Sequence, residues 1–144
     1  MPLEGFEVLY RVTYALPEAW SATIGESGEG RHLLIGEGRA EGRVAGRVRL
    51  VNHPHRRSDG RLEPEFHGAV ETDDGAVIVF RFTGLAEVLP DRVLRIMGLV
   101  LHDTGDERYA WVREFPALVG GNVPLDEPPF TVTVVSAASL WRDL

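Results

Sequence analysis

The sequence predicts an all-β barrel or sandwich, and three observations carry that expectation. Short runs in which apolar and polar residues alternate recur along the chain, the period of a strand with one buried face. Gly, Pro, Asn and Asp separate these runs and supply turn residues. A helical pattern shows only in the closing ASLWRDL, residues 138–144. About seven or eight strands with so little helix describe one domain of sheet closed or packed on itself.

The runs follow in order. In FEVLYRVTY, Phe6, Val8, Tyr10, Val12 and Tyr14 share one face, with Glu7, Arg11 and Thr13 on the other. Residues 17–30 are rich in Glu, Ser and Gly and read as a loop. RHLLI at 31–35 precedes GEGRAEG at 36–42, whose glycines suit strand bends and close backbone approach. No strand-to-helix context there supports a phosphate cradle. VAGRVRLVN sets Val44, Gly46, Val48, Leu50 and Asn52 opposite Arg47 and Arg49. PEFHGAVET and AVIVFRFTG then flank Asp73-Asp74-Gly75, and VLRIMGLVL, RYAWVREF (108–115) and FTVTVVSA complete the strands.

The stretch ETDDGAVIVFRF can be registered. A three-residue loop at Asp73-Asp74-Gly75, with Gly in the left-handed conformation, pairs Thr72 with Ala76. Val70 then faces Ile78, Gly68 faces Phe80 and Phe66 faces Phe82, all on one apolar side. His67 falls across from Arg81 on the other side, beside Glu65 and Glu71. A two-residue loop would instead bury Glu71 and His67 without partners. Asp73 and Asp74 are therefore expected to be turn residues, not a catalytic carboxylate pair.

Composition excludes several functions. The chain has 144 residues, 44% hydrophobic and 26% charged, an ordinary globular balance. A net charge of −7 argues against a nucleic-acid partner, whose phosphates need a basic face. No apolar run approaches the ~20 residues that span a bilayer, and MPLEGFEV carries no leader pattern, so no membrane is expected and the cytoplasm is the expected location. The absence of cysteine removes a thiolate nucleophile and disulfides, and the absence of lysine removes Schiff-base chemistry.

Several of these pieces resemble one family. DG at 59–60, TDDGAVI at 72–78, Gly84, and TGDERYAWV at 104–112 followed by VGG at 119–121 are similar to motifs of a bacterial and fungal family, domain-of-unknown-function family 3237. IGEGRAEGRVAGRV at 35–48 resembles its Gly-rich early strand pair. The resemblance covers most of the chain and implies a calycin-like, closed antiparallel β-barrel of about eight strands, with no established reaction. The chain departs from the family at informative places. His53-Pro54 stand where members carry Asp-Trp, Gly68 replaces a tyrosine, Phe82 an asparagine, and Val112-Arg113 a Leu-Asn pair. These changes imply a greasier, emptier interior that gains one arginine.

The candidate chemistry rests on a few side chains. His53-Pro54-His55 lies beside Arg56-Arg57, a poor setting for a dication, and neither a metal nor another cofactor is expected. If residues 108–114 form a strand, Tyr109, Trp111 and Arg113 share one face; turned inward, Arg113 and Tyr109 would anchor a carboxylate or enolate oxygen. Turned outward, Arg113 would sit at the rim and pair with Glu114 or Asp126. His102 and Asp103 point to opposite faces of their strand, and the resemblance favours His102 inward as a general base or as simple packing. The expected cavity walls are Tyr10, Tyr14, Phe66, Ile78, Phe80, Phe82 and Trp111. The expected function is binding of a small, largely apolar organic molecule, with a carboxylate or enolisable carbonyl as its polar end. Cofactor-independent proton transfer (an isomerase, cyclase, hydratase or lyase) is the leading reading. A non-catalytic carrier or sensor is one alternative, and a barrel filled by its own side chains is another. Assembly into a homo-oligomer is compatible with the sequence, which sets no count.

Overall fold

The computed structural model describes residue 3 and residues 5–144 of the chain. Among them are β1 (Val8–Ile24), β2 (Glu29–Gly42), β3 (Gly46–Asn52), β4 (His55–Arg56), β5 (Leu62–Glu63), β6 (Glu65–Thr72), β7 (Val77–Val88), β8 (Val93–Asp103), β9 (Ala117–Pro124) and β10 (Phe130–Ser136). A 3₁₀ helix (Glu107–Arg113) follows β8, and α1 (Ala138–Arg142) follows β10. β1 pairs with both β2 and β10, and β7 with both β6 and β8, so the circuit β1-β2-β3-β6-β7-β8-β9-β10 closes on itself with every pairing antiparallel. The fold is a closed antiparallel β-barrel. β4 and β5 form a second bridge from β2 to β7, past the ends of β3 and β6.

The hairpin register is the one read from sequence. Val70 pairs with Ile78, Gly68 with Phe80, Phe66 with Phe82 and His67 with Arg81. Thr72 N–H donates to Ala76 O at 2.8 Å across the turn, and Gly75 has φ +92°, the left-handed conformation that favours glycine. Inward residues then stack in layers. Val48, Val70 and Ile78 neighbour one another near the turn end and are almost wholly buried. In the next layer Gly68 lies between Leu50 and Phe80, and a Cβ on Gly68 would sit 2.5 Å from Phe80 Cζ. The absence of a side chain at this position is thus the room that Phe80 occupies. Phe66 and Phe82 form the layer beyond, ring edge to face at 5.2 Å.

Three expectations require correction. Residues 17–30 are not a loop: β1 and β2 stay paired out to Ile24 and Glu29, past a register shift between Ala15 and Glu18, and project as an exposed ribbon. Only residues 25–28 turn, with Gly25 and Gly28 at positive φ. The polar composition suggested a loop because this ribbon has no core to face, so its strands need no apolar alternation. Residues 108–114 are not a strand but lie in the 3₁₀ helix and its C-terminal cap. Asp106 caps it, its carboxylate accepting from Arg108 N–H at 2.9 Å, while Thr104 Oγ1 accepts from Asp106 N–H and donates to Val77 O. These caps outweigh a four-residue alternation, and the Thr-Gly-Asp-Glu run was the signal for them. Finally, Ala117–Pro124, read only as a Gly-Gly motif, is a full barrel strand.

Gly84 and Gly98 face each other across β7 and β8. A Cβ on Gly98 would lie 2.2 Å from Thr83 O and 2.7 Å from a Phe82 ring carbon, which permits no methyl without backbone movement. Gly98→Ala is expected to destabilise the barrel by about 2 kcal/mol or more. Urea unfolding would show this as a lowered midpoint at unchanged slope.

Candidate functional site

The barrel interior is lined almost wholly by apolar groups. Tyr10, Val12 and Tyr14 of β1 face Phe66, Phe80 and Phe82 across it, and Leu50, Ile96, Val100, Val119, Val132 and Val134 complete the lining. The free space is about 50 Å³. That admits roughly three to five waters, or a few carbon atoms. It is far below the ~300 Å³ of a pocket for a drug-sized ligand. Of the walls expected from sequence, Tyr10, Tyr14, Phe66, Phe80 and Phe82 line this space. Ile78 is fully buried in the packed layer below, and Trp111 lies outside, stacked on Phe115 with the Arg43 guanidinium 4.0 Å from its ring.

His102 reaches inward from β8, and Asp103, on the opposite face, points out. The Tyr10 hydroxyl and His102 Nε2 are 2.5 Å apart. Which of the two atoms donates is set by the imidazole tautomer: Tyr10 donates to Nε2 when the ring proton is on Nδ1 and accepts when it is on Nε2. Burial pushes the His102 pKa down to about 4 and that of Tyr10 far above its ordinary value, so both are neutral at pH 7. Burial likewise raises Tyr14 to about 12. Neither the Tyr14 hydroxyl nor His102 Nδ1 bonds a described residue. Yet no enclosed side-chain polar atom among those residues lacks a partner. Both groups therefore border accessible space, Tyr14 that of the lumen and His102 that of a separate, more open pocket shared with Gly68, Phe80 and Asp103.

The structure does not bring Tyr109 and Arg113 to this site. The 3₁₀ helix packs Val112 into the core, leaving Tyr109 half-buried against the core's outside with its hydroxyl away from the lumen and Arg113 exposed. Arg113 is exposed and pairs with Asp103 at 2.8 Å, neither of the partners expected for it at a rim. The interior has gained no arginine. Tyr109 donates its hydroxyl to Asp74 at 2.8 Å, and Arg108 donates twice to Asp74 O. Thr72 donates to the other Asp74 oxygen at 2.6 Å, while Asp73 takes a two-pronged contact from Arg39. The two carboxylates tie the turn to the 3₁₀ helix and to β2; their pKa values are held low by hydrogen bonds from Thr72 and Tyr109 to Asp74 and from Arg39 to Asp73.

Three of the other four histidines serve local bonds. His55 bonds Glu63 at 3.0 Å, His32 bonds Ser21 at 2.7 Å, and His67 lies 3.4 Å from Glu65 on the outer face. No three potential ligands converge among the described residues. No helix there is long and apolar enough to cross a membrane.

Solved structures share this architecture. A β-barrel-like protein from Acinetobacter baumannii AYE superposes with a TM-score of 0.75 at 17% identity, covering 91% of this chain and 92% of that one. A protein of unknown function from Clostridium acetobutylicum gives 0.77 at 17% identity, covering 92% and 94%. An enzyme from Penicillium herquei gives 0.72 at 21% identity, covering 92% of each. At such identities the likeness is one of fold. No family model and no curated protein matches the sequence.

A buried neutral histidine leaves a mark on stability. His102 has its ordinary pKa of 6.5 in the unfolded chain and about 4 in the barrel, so the unfolded state binds the extra proton in between. Stability contributed by this group is full above pH 6.5 and falls as pH drops toward 4, by about 1.4 kcal/mol per unit. Urea midpoints measured from pH 7 to pH 4.5 should decline accordingly, and His102→Gln should flatten that part of the profile.

Proposed function

We propose that the barrel binds a small, neutral, largely apolar molecule in its lumen, and that the Tyr14 hydroxyl and the Tyr10–His102 pair are the groups that orient it. One observation carries this reading: in a lining whose only other side-chain polar atom is the Tyr10 hydroxyl, already bonded to His102, the Tyr14 hydroxyl borders open space and has no bonding partner among the described residues. A ligand carbonyl or hydroxyl would complete it. A carboxylate would not, because the lining holds no cation and a buried anion without one is costly. This narrows the expected ligand, since the arginine meant to hold an acid lies at the surface. The small free volume means that a ligand of more than a few heavy atoms displaces the rings of Phe66 and Phe80. The sequence motifs TDDGAVI and TGDERYAWV support assignment to family 3237 as part of the same proposal.

The 2.5 Å contact between Tyr10 and His102 favours a second reading, cofactor-independent proton transfer. If the Tyr10 hydroxyl turned to a ligand carbonyl, Nε2 would be free to accept a proton from the adjacent carbon, giving an enol. A pKa near 4 makes His102 a weak base, so binding is the better supported function.

Xenon tests the lumen directly. The ¹²⁹Xe NMR shift should respond to the wild-type protein, Val100→Phe should abolish the response, and Phe80→Ala should admit benzene. Tyr14→Phe should weaken a small ketone such as acetone about five- to tenfold while sparing xenon, the loss of one hydrogen bond. A wild-type protein that leaves the xenon shift unchanged would mean a barrel filled by its own side chains. Native mass spectrometry of protein from its own host would name any retained molecule.

A further inference from the structure

The projecting ribbon of β1 and β2 has one bare edge, which the lumen does not explain. On the β2 side the ribbon is covered: β3 pairs with β2 as far as Leu34, and β4 takes over at Gly30 and Arg31. On the β1 side β10 stops at Phe130, paired with Tyr14, and no described strand pairs with that edge beyond it. One bond fixes the orientation of the bare edge. His32 N–H donates to Pro54 O at 3.2 Å, away from β1, so Ser21 and His32 are a non-hydrogen-bonded pair. The N–H and C=O of Ser21 therefore point off the edge, and by alternation so do those of Ala19 and Thr23. Ala22 O, by contrast, lies beside Gly30 of β2. Free edges are normally shielded by charge, proline or a bulge. Residues 19–24, AWSATI, carry no charge and no proline, and Trp20 and Ile24 are 54% and 50% exposed.

We propose that two copies of the chain pair through this edge, antiparallel about a two-fold axis at Ser21, so that one sheet runs across both ribbons. The occupant is a second copy because the edge is complementary to itself. Pro17, which has no N–H to give, bounds it at one end and the turn beginning at Gly25 at the other; Ser21 is the midpoint between them. A two-fold there sets Ser21 against Ser21 and Ala19 against Thr23 of the other copy, and every outward N–H and C=O of these residues meets its counterpart. Between those pairs Trp20 falls opposite Ala22, and Glu18 opposite Ile24, of the other copy. Each indole thus lies over a small residue and diagonal to an exposed Ile24, which takes both apolar side chains out of water. The space fits as well. The turn at 25–28 of each copy reaches only the level of Leu16 in the other, short of Phe130, where β10 begins. A pairing shifted inward would run that turn into Phe130, and one shifted outward would leave Ala19 unpaired. Edge pairing buries less than the ~800 Å² that each partner brings to a standard interface, so the dimer forms reversibly with concentration. The proposal is independent of any ligand in the lumen.

Sedimentation velocity of the full chain over a range of concentrations tests the dimer, and a cysteine pair tests its register. The expected result is a wild-type monomer–dimer equilibrium that Ser21→Pro weakens at least tenfold with an unchanged circular dichroism spectrum. The Ser21 N–H faces the free edge, so proline there removes no backbone bond within the chain. Glu18→Cys combined with Ile24→Cys places two thiols ~20 Å apart in one chain, but with Cα atoms ~4.5 Å apart between copies, within disulfide range. The chain has no other cysteine, so oxidation by copper–phenanthroline in air should cross-link the double variant and neither single one. Both positions are exposed, and this pair keeps the test open should Ser21→Pro fail to fold. A wild-type monomer at every concentration overturns the proposal, and flotation of that monomer with phosphatidylcholine–phosphatidylglycerol vesicles would assign Trp20 and Ile24 to a lipid surface. A dimer that Ser21→Pro leaves intact, or one whose double-cysteine variant does not cross-link, overturns it equally.

Discussion

The turn at Asp73-Asp74-Gly75 decides which face of the β6–β7 hairpin looks into the barrel, and most of the interior follows from it. Because side chains alternate, a turn one residue shorter would exchange the two faces and send Glu71 and His67 inward. The turn is secured at three levels. Gly75 supplies the positive φ, Thr72 bridges to Ala76 and Asp74, and the two carboxylates reach Arg39 and Tyr109 on separate elements. The acidic pair is thus a clamp between turn, β2 and the 3₁₀ helix. With that register set, Phe66, Phe80 and Phe82 all enter the lumen.

What remains inside is governed by volume. Eight strands enclose a space that side chains can nearly fill, and here aromatic rings and valines reduce it to about 50 Å³. Glycine at position 68 relieves the crowding on one wall and admits the Phe80 ring. The polar groups left in so dry a setting must be neutral or paired. Tyr10 and His102 satisfy each other, both in their uncharged forms, while Tyr14 retains an open bonding position. The same burial that makes His102 a poor base disfavours any unpaired charge in the lumen.

Much of this was legible in the sequence, where the constraint is local and periodic. The alternation in VAGRVRLVN, in ETDDGAVIVFRF and in FEVLYRVTY from Tyr10 onward marked the inward residues, because one face of each strand meets the core and the other meets water; before Tyr10 a register shift turns Leu9 into the core and leaves Phe6 and Val8 half-buried. The same rule put His102 and Asp103 on opposite faces, while only the family resemblance favoured His102 as the inward one. Alternation misled at RYAWVREF, where Asp106 and Thr104 cap a helical turn, and fell silent at residues 17–24, where a ribbon without a core has no face to bury.

By itself, then, the sequence determined the fold class, the hairpin register and the inward faces of the strands that border the core, since all three are set by spacing along one segment. Tertiary structure alone decided which side chains meet. That Tyr10 would bond His102, 92 residues away, depends on how the closed sheet brings β1 across from β8. That Arg113 would pair with Asp103 and stay outside depends on the helical turn that carries it. Contacts across a closed barrel are fixed by strand stagger and closure, which no local pattern encodes.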